Sequence, residues 1–185
     1  MEWAWLIPIF SFAAAPLIVL FGKFLPGKGS WLSILAIGGG FVMFWVVLNS
    51  WLAANAATSG CFTSENTGML TCDYERSWFN AGLVGEIGSV SLHWGILVDP
   101  LTIAMLGLVT FVALMVQIYS LAYMHGDPRF GWYFAVHSLF AAAMLTLVLA
   151  DNFLLLYVAW ELVGICSYLL IGFWHERPQA REAAK

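Results

Sequence analysis

The sequence predicts an all-α integral membrane protein with about five transmembrane helices and one long extracytoplasmic loop. Hydrophobic residues make up 62% of the 185-residue chain and charged residues only 10%, whereas a soluble domain carries about 25% charged residues. The mean hydropathy is +0.85. Apolar runs of about 20 residues, long enough to cross the hydrocarbon core, occur near Trp3–Gly22, Trp31–Ala54, Leu101–Tyr123, Gly131–Ala150 and Asn152–Trp174. The net charge of −4 selects no partner by itself, because the charges of a membrane protein are read loop by loop. Nothing in the chain points to nucleic acid.

The first run has no basic n-region and no small-residue cleavage site, so it reads as a retained span rather than a signal peptide. Its two prolines, Pro8 and Pro16, are tolerated in membrane helices, where neighbours re-satisfy freed backbone groups. The second run closes the N-terminal pair, 1–54, and its Gly38-Gly39-Gly40 suits close helix packing. Asp99-Pro100 opens the third run with an N-cap side chain and a first-turn proline. The third, fourth and fifth runs make a second group, 100–174, followed by a tail, 175–185.

The segment 55–99 is too long and too polar to lie in lipid and should carry structure of its own. Gly85 to Val98 alternates in part, and Trp78 begins another candidate strand. A β-hairpin turning near Gly85-Glu86-Ile87-Gly88 is therefore expected. Six of the seven basic residues, Lys23, Lys28, Arg129, Arg177, Arg181 and Lys185, fall on one side of a five-span topology. The positive-inside rule then places the N-terminus outside and the C-terminus in the cytoplasm. Cys61 and Cys72 lie in the outer loop, on the oxidising side. A disulfide between them would stabilise the loop by roughly 2–3 kcal/mol; the alternative is two free thiols.

Glu161 is the residue on which function rests. It lies nine residues into the fifth run, about 13 Å from its outer end at ~1.5 Å per residue. An ionisable group at that depth costs a few kcal/mol and usually serves an ion or proton pathway. Tyr157, Gly164, Tyr168 and Gly172 share its helical face. The glycines permit close helix approach and the tyrosines offer hydroxyls for relay, so that face should look into a bundle. The alternative is a protonated glutamate acting only as an interhelical hydrogen-bond donor. His137, in the fourth run, is a further relay candidate, since its ordinary pKa suits proton transfer. The alternative for it is a neutral histidine bonded to a neighbouring helix. No metal, haem or iron–sulfur ligand set is legible.

Leu149-Ala150-Asp151-Asn152-Phe153-Leu154-Leu155-Leu156-Tyr157, followed by Trp160-Glu161-Leu162-Val163-Gly164-Ile165-Cys166-Ser167-Tyr168-Leu169-Leu170-Ile171-Gly172, resembles the largest antiporter-like subunit of respiratory complex I. That is subunit L of the bacterial NADH–quinone oxidoreductase and subunit 5 in mitochondria. Leu97-Val98-Asp99-Pro100-Leu101-Thr102 and Tyr119-Ser120-Leu121-Ala122-Tyr123-Met124 are similar to the ends of its third helix. The large subunits of Mrp-type Na⁺/H⁺ antiporters are relatives of the same group.

The resemblance implies the start of an inverted-repeat antiporter-like fold in the inner (plasma) membrane. It implies that Glu161 is the fifth-helix glutamate that pairs with a lysine on a broken seventh helix during proton translocation coupled to NADH:quinone oxidoreduction. NADH, FMN, iron–sulfur clusters and quinone would then belong to other subunits, with no cofactor in this chain. The implied partners are the C-terminal remainder of the subunit, other membrane subunits and the lipid bilayer. The chain stops well short of the family's length and so reads as truncated or split. His137 departs from the family pattern and takes no role from it. Two other readings stand beside this one: the same portion of an Mrp-type cation/proton antiporter, and a standalone five-helix structural protein.

Overall fold

Apolar runs in lipid must satisfy every backbone polar group internally, and each of the five becomes a helix in the computed structural model. The structure describes residues 3–54, 58, 60–64, 68–81 and 90–184, with backbone alone at 75–81 and 90–94. The membrane helices are α1 (Leu6–Phe21), α2 (Ser30–Leu52), α3 (Pro100–Tyr123), α4 (Phe130–Leu149) and α5 (Phe153–Ile171). A short α6 (Pro178–Ala183) follows in the tail. Among the described residues, four helices are long and apolar enough to span a bilayer, and α1, at 16 residues, is shorter. Asp99 caps α3 as expected: its Oδ1 accepts the Thr102 N–H at 2.6 Å. Asn152 does the same for α5, accepting the Leu155 N–H at 2.8 Å.

Helix α4 is the centre. Of its apolar window, 61% is buried within the chain, against 11% for α5. A helix with small and apolar residues all round can be buried on every side, and Ala135, Ala141, Ala142 and Ala143 are buried on α4. It packs against α1, α2, α3 and α5. Its first turn also meets the 3-10 turn Pro26–Gly29 between α1 and α2. There Gly131 is needed for close approach, because an added Cβ would lie 2.8 Å from the Lys28 carbonyl oxygen. Backbone cannot swing aside as a side-chain tip can. Gly131→Ala should therefore destabilise by about 1–3 kcal/mol, read as a lowered thermal midpoint in detergent.

The outer segment forms an antiparallel sheet, ordered β1 (Cys61–Thr63), β2 (Leu70–Ala81) and β3 (Val90–Val98). The expected hairpin is present, but β2 starts at Leu70 rather than Trp78, and β1 is an additional strand. The expected turn at 85–88 lies outside the described residues. Leu70 to Ser77 lacks a clean two-residue alternation; its strand state comes from pairing, with β1 up to Cys72 and with β3 from Cys72 onward. Cys72 faces Cys61 across one ladder and Val98 across the other. A disulfide joins Cys61 to Cys72.

This sheet is seated on one end of the helix group. Cys72, Ile96 and Val98 share a core with Ala4 and Ile7, Phe44 and Val47, Ile103 and Leu106, and Leu145 and Leu149. Ile96 also bridges to Ala150, just past α4. At the neighbouring Gly95 an added Cβ would meet the Asp151 carboxylate, which would have to shift to make room. Lys23, Lys28, Arg129, Arg177 and Arg181 all lie between or beyond the membrane helices at the opposite end. The charge asymmetry of the loops is thus an asymmetry of the molecule.

Candidate functional site

Glu161 stands near the middle of α5, and packing decides which way it looks. Ala159 and Cys166 are buried, at 3% and 0% exposure, on the side that meets α4. Tyr157, Glu161, Gly164 and Tyr168 are exposed together on another side. An added Cβ at Gly164 would touch nothing. The face expected to look into a bundle is therefore turned away from the other helices of this chain. Gly172 lies past the helix end, against the Tyr168 carbonyl and Ala184, just past α6.

Among the described residues, no hydrogen-bond or ion-pair partner reaches the Glu161 carboxylate. An ionised carboxylate facing hydrocarbon costs several kcal/mol, by roughly 3 or more on insertion scales. The exposed stripe from Tyr157 to Tyr168 thus has the chemistry of a surface to be covered by polar protein. It is not the chemistry of a lipid-facing surface.

His137 is placed elsewhere. It is buried on α4, its Nδ1 3.2 Å from the Gln117 amide nitrogen on α3. The structure brings it into no contact with Glu161, Tyr157 or Tyr168. It instead joins His137 to Gln117, Ser33 and Ser138, three buried polar residues from three helices. Reading the sequence missed this group. Its one signal was Gln117, an amide inside an otherwise apolar span, since polar residues in such spans usually face protein.

The end of the molecule rich in Lys and Arg carries a second set of polar contacts. Asp127 accepts the Arg129 backbone N–H at 2.8 Å and the Trp174 indole N–H at 3.1 Å. Arg129 reaches His175 Nδ1 at 3.0 Å and Glu176 at 3.6 Å, with its guanidinium over the Phe173 ring. Together these tie the α3–α4 turn to the end of α5.

The N–H donated by Arg129 is the main cause holding the Asp127 carboxyl below its ordinary pKa, with help from Trp174 and from the charges of Arg129 and Lys28. A carboxyl depressed by folding stabilises the fold above its unfolded pKa, and that contribution is lost as the pH falls through its folded value. Amide exchange in the 124–129 turn should be protected at neutral pH and should accelerate under strong acid. Asp127→Asn should show the faster exchange already at neutral pH.

Among the described residues, no group of three or more His, Cys, Asp or Glu side chains is placed to hold a metal ion.

Comparison with known proteins gives consistent likenesses. A family model described as NADH-ubiquinone oxidoreductase (complex I), chain 5 N-terminus, matches residues 85–134. A second, described as the NADH:quinone oxidoreductase/Mrp antiporter transmembrane family, matches residues 150–185 and so includes Glu161. The F(420)H(2) dehydrogenase subunit L of Methanosarcina mazei is 42% identical over 184 residues, covering 100% of this chain and 24% of that protein. The chloroplastic NAD(P)H-quinone oxidoreductase subunit 5 of Cryptomeria japonica is 38% identical, covering 100% and 23%. The chain thus spans about a quarter of the length of these relatives. A solved structure of the Mrp complex from Dietzia sp. DQ12-45-1b shares the fold, with a TM-score of 0.67 and 24% identity over 97% of this chain and 16% of that one.

Proposed function

The chain carries the N-terminal sequence of the antiporter-like subunit family that complex I chain 5 and the Mrp antiporters share, and from that premise we propose that it takes part in proton translocation, with Glu161 as the carboxylate that binds and releases the proton. The observation that carries this reading is a mid-span carboxylate without a partner among the described residues, on a helix face that its own helices leave open. Such a group is half of a site. Its charge state would be set by whatever polar residue covers the stripe. A basic residue on a further helix is the physically apt complement, because each charge then lowers the cost of burying the other.

The membrane arm of a complex-I-type NADH:quinone oxidoreductase is the assembly in which this would occur. The cofactors that move electrons would sit in other subunits, and neighbouring membrane subunits would be the partners. The named relatives differ in electron donor, F420H2 in one case and NAD(P)H in another, which fits a donor site lying outside this chain. The Lys- and Arg-rich end would face the cytoplasm and the sheet the opposite side of an inner membrane. Tyr157 and Tyr168 would line the stripe as hydroxyl relays, and Gly164 would admit a closely packed helix.

A second reading is an Mrp-type cation/proton antiporter subunit, favoured by the fold likeness to the Mrp complex. Purification from native membranes separates the two by the proteins that accompany the chain, redox subunits or antiporter subunits. The assigned residue is tested by Glu161→Gln in the intact complex, with proton uptake measured in vesicles. Loss of uptake supports the role, and unchanged uptake removes it.

A further inference from the structure

Gln117 on α3 sits between two other helices with its amide nitrogen 2.6 Å from Ser33 Oγ of α2 and 3.2 Å from His137 Nδ1 of α4. Ser33 Oγ lies 2.5 Å from Ser138 Oγ and 3.3 Å from the Phe134 carbonyl. Ser33, Gln117 and Ser138 are 0% exposed and His137 is 7% exposed. A polar chain of four side chains is therefore sealed among apolar helices. The role given to Glu161 makes no use of it.

The chain has two self-consistent directions. With the amide NH2 toward its neighbours, Gln117 donates to Ser33 and to His137 Nδ1. The imidazole then carries its proton on Nε2, and Ser33 donates onward to Ser138 or to the Phe134 carbonyl. A half-turn of the amide puts its carbonyl oxygen in the same place. That oxygen accepts from the Ser33 hydroxyl and from a protonated His137 Nδ1, while Ser138 donates to Ser33. The far oxygen of the amide has no hydrogen-bond partner among the described residues, so the half-turn breaks no bond at that end. Hydrogen bonds in a low-dielectric interior polarise one another, and the chain should reverse as a unit.

We propose that Ser33, Gln117, His137 and Ser138 form a two-state proton-binding site, in which rotation of the Gln117 amide lets His137 Nδ1 alternate between accepting and donating a hydrogen bond. The ligand is a proton. One N–H bond forms at Nδ1 on uptake, one imidazole N–H bond breaks on release, and no electrons are transferred. This deepens the proton-translocation reading and rests on it for the source of protons. Gln117 is here a positioning residue that acts through His137.

Among the described residues, no charged group competes at the site. The spans of α1 and α2 carry no titratable side chain. Helix α3 carries Tyr119 and Tyr123, both exposed. On α4 the Tyr133 ring lies 6.0 Å from the imidazole. On α5, Tyr157, Glu161 and Tyr168 are exposed and only Cys166 is buried. Lys28 belongs to the turn beside Gly131, at the end of α4.

The test is nitrogen NMR of histidine-labelled protein in its assembled complex in lipid, with the His137 signals assigned by their loss in His137→Gln. Gln117→Glu offers only acceptors and should move the proton to Nδ1, changing the tautomer ratio by about tenfold or more. Ser33→Ala cuts the chain while barely changing its volume, and should shift the same ratio measurably. Proton uptake should fall in Gln117→Leu, and the loss should not add to that of His137→Gln. A tautomer ratio unchanged in both Gln117→Glu and Ser33→Ala, or strictly additive losses, would overturn the site. Undiminished uptake in Glu161→Gln would instead remove the translocation reading and leave the tautomer result standing.

Discussion

Proton uptake driven through the intact complex should fall to the level of an uncoupled control when Glu161 is replaced by glutamine, while the protein still inserts and assembles. Glutamine has nearly the same shape and keeps hydrogen-bonding capacity, but it cannot take up or release a proton. Because α5 packs on α4 through Ala159 and Cys166, the substitution breaks no hydrogen bond or ion pair among the described residues. It also removes the ionisable group whose burial is the costliest feature of the span. Stability should hold or rise as transport is lost, a combination that a purely structural carboxylate would not produce. Glu161→Asp restores the charge on a shorter stem and should return part of the uptake. If the glutamate served only as an interhelical hydrogen-bond donor, the glutamine variant would keep its transport.

The largest loss of stability is expected from opening the Cys61–Cys72 disulfide. The bond closes a loop of 11 residues in sequence, for which the chain-entropy account gives about 3 kcal/mol. Its loss would be felt beyond the loop. Cys72 is 0% exposed and belongs to the core where the sheet meets the ends of four helices. Cys72→Ala removes both the cross-link and a buried sulfur, so it should cost more than Cys61→Ala, whose side chain lies near the edge of that core at 9% exposure. Hydrogen exchange across β1 and β2 reads the difference. Faster exchange confined to β1 would mean that the bond holds only the edge strand. Faster exchange reaching Ile96 and Val98 would mean that it helps to seat the sheet.

The membrane helices were legible because lipid leaves so few options. A run without water must close its own backbone hydrogen bonds, so hydropathy alone locates it. The expected Trp31–Ala54 and Gly131–Ala150 became Ser30–Leu52 and Phe130–Leu149. The Asp99 cap was legible for a related reason, since a carboxylate before Pro100 is a local device that needs no distant partner. The outer segment was harder. Cys61–Thr63 has three residues and no pattern, and becomes a strand only because β2 lies beside it.

From the sequence alone followed the class, the spans, the charge asymmetry, the placing of Glu161 near the middle of the fifth helix and the stripe it shares with Tyr157, Gly164 and Tyr168. These depend on composition and on the fixed geometry of a helix, both properties of one segment at a time. Only the tertiary structure decided the direction of that stripe. Periodicity says which residues share a face, and packing says what the face meets: α5 presents Ala159 and Cys166 to α4 and leaves Glu161 open. The same holds for His137, whose partners are Gln117, 20 residues before it, and through it Ser33, 84 residues before Gln117. Such a network exists only where three helices converge, and convergence is not a property of any single span.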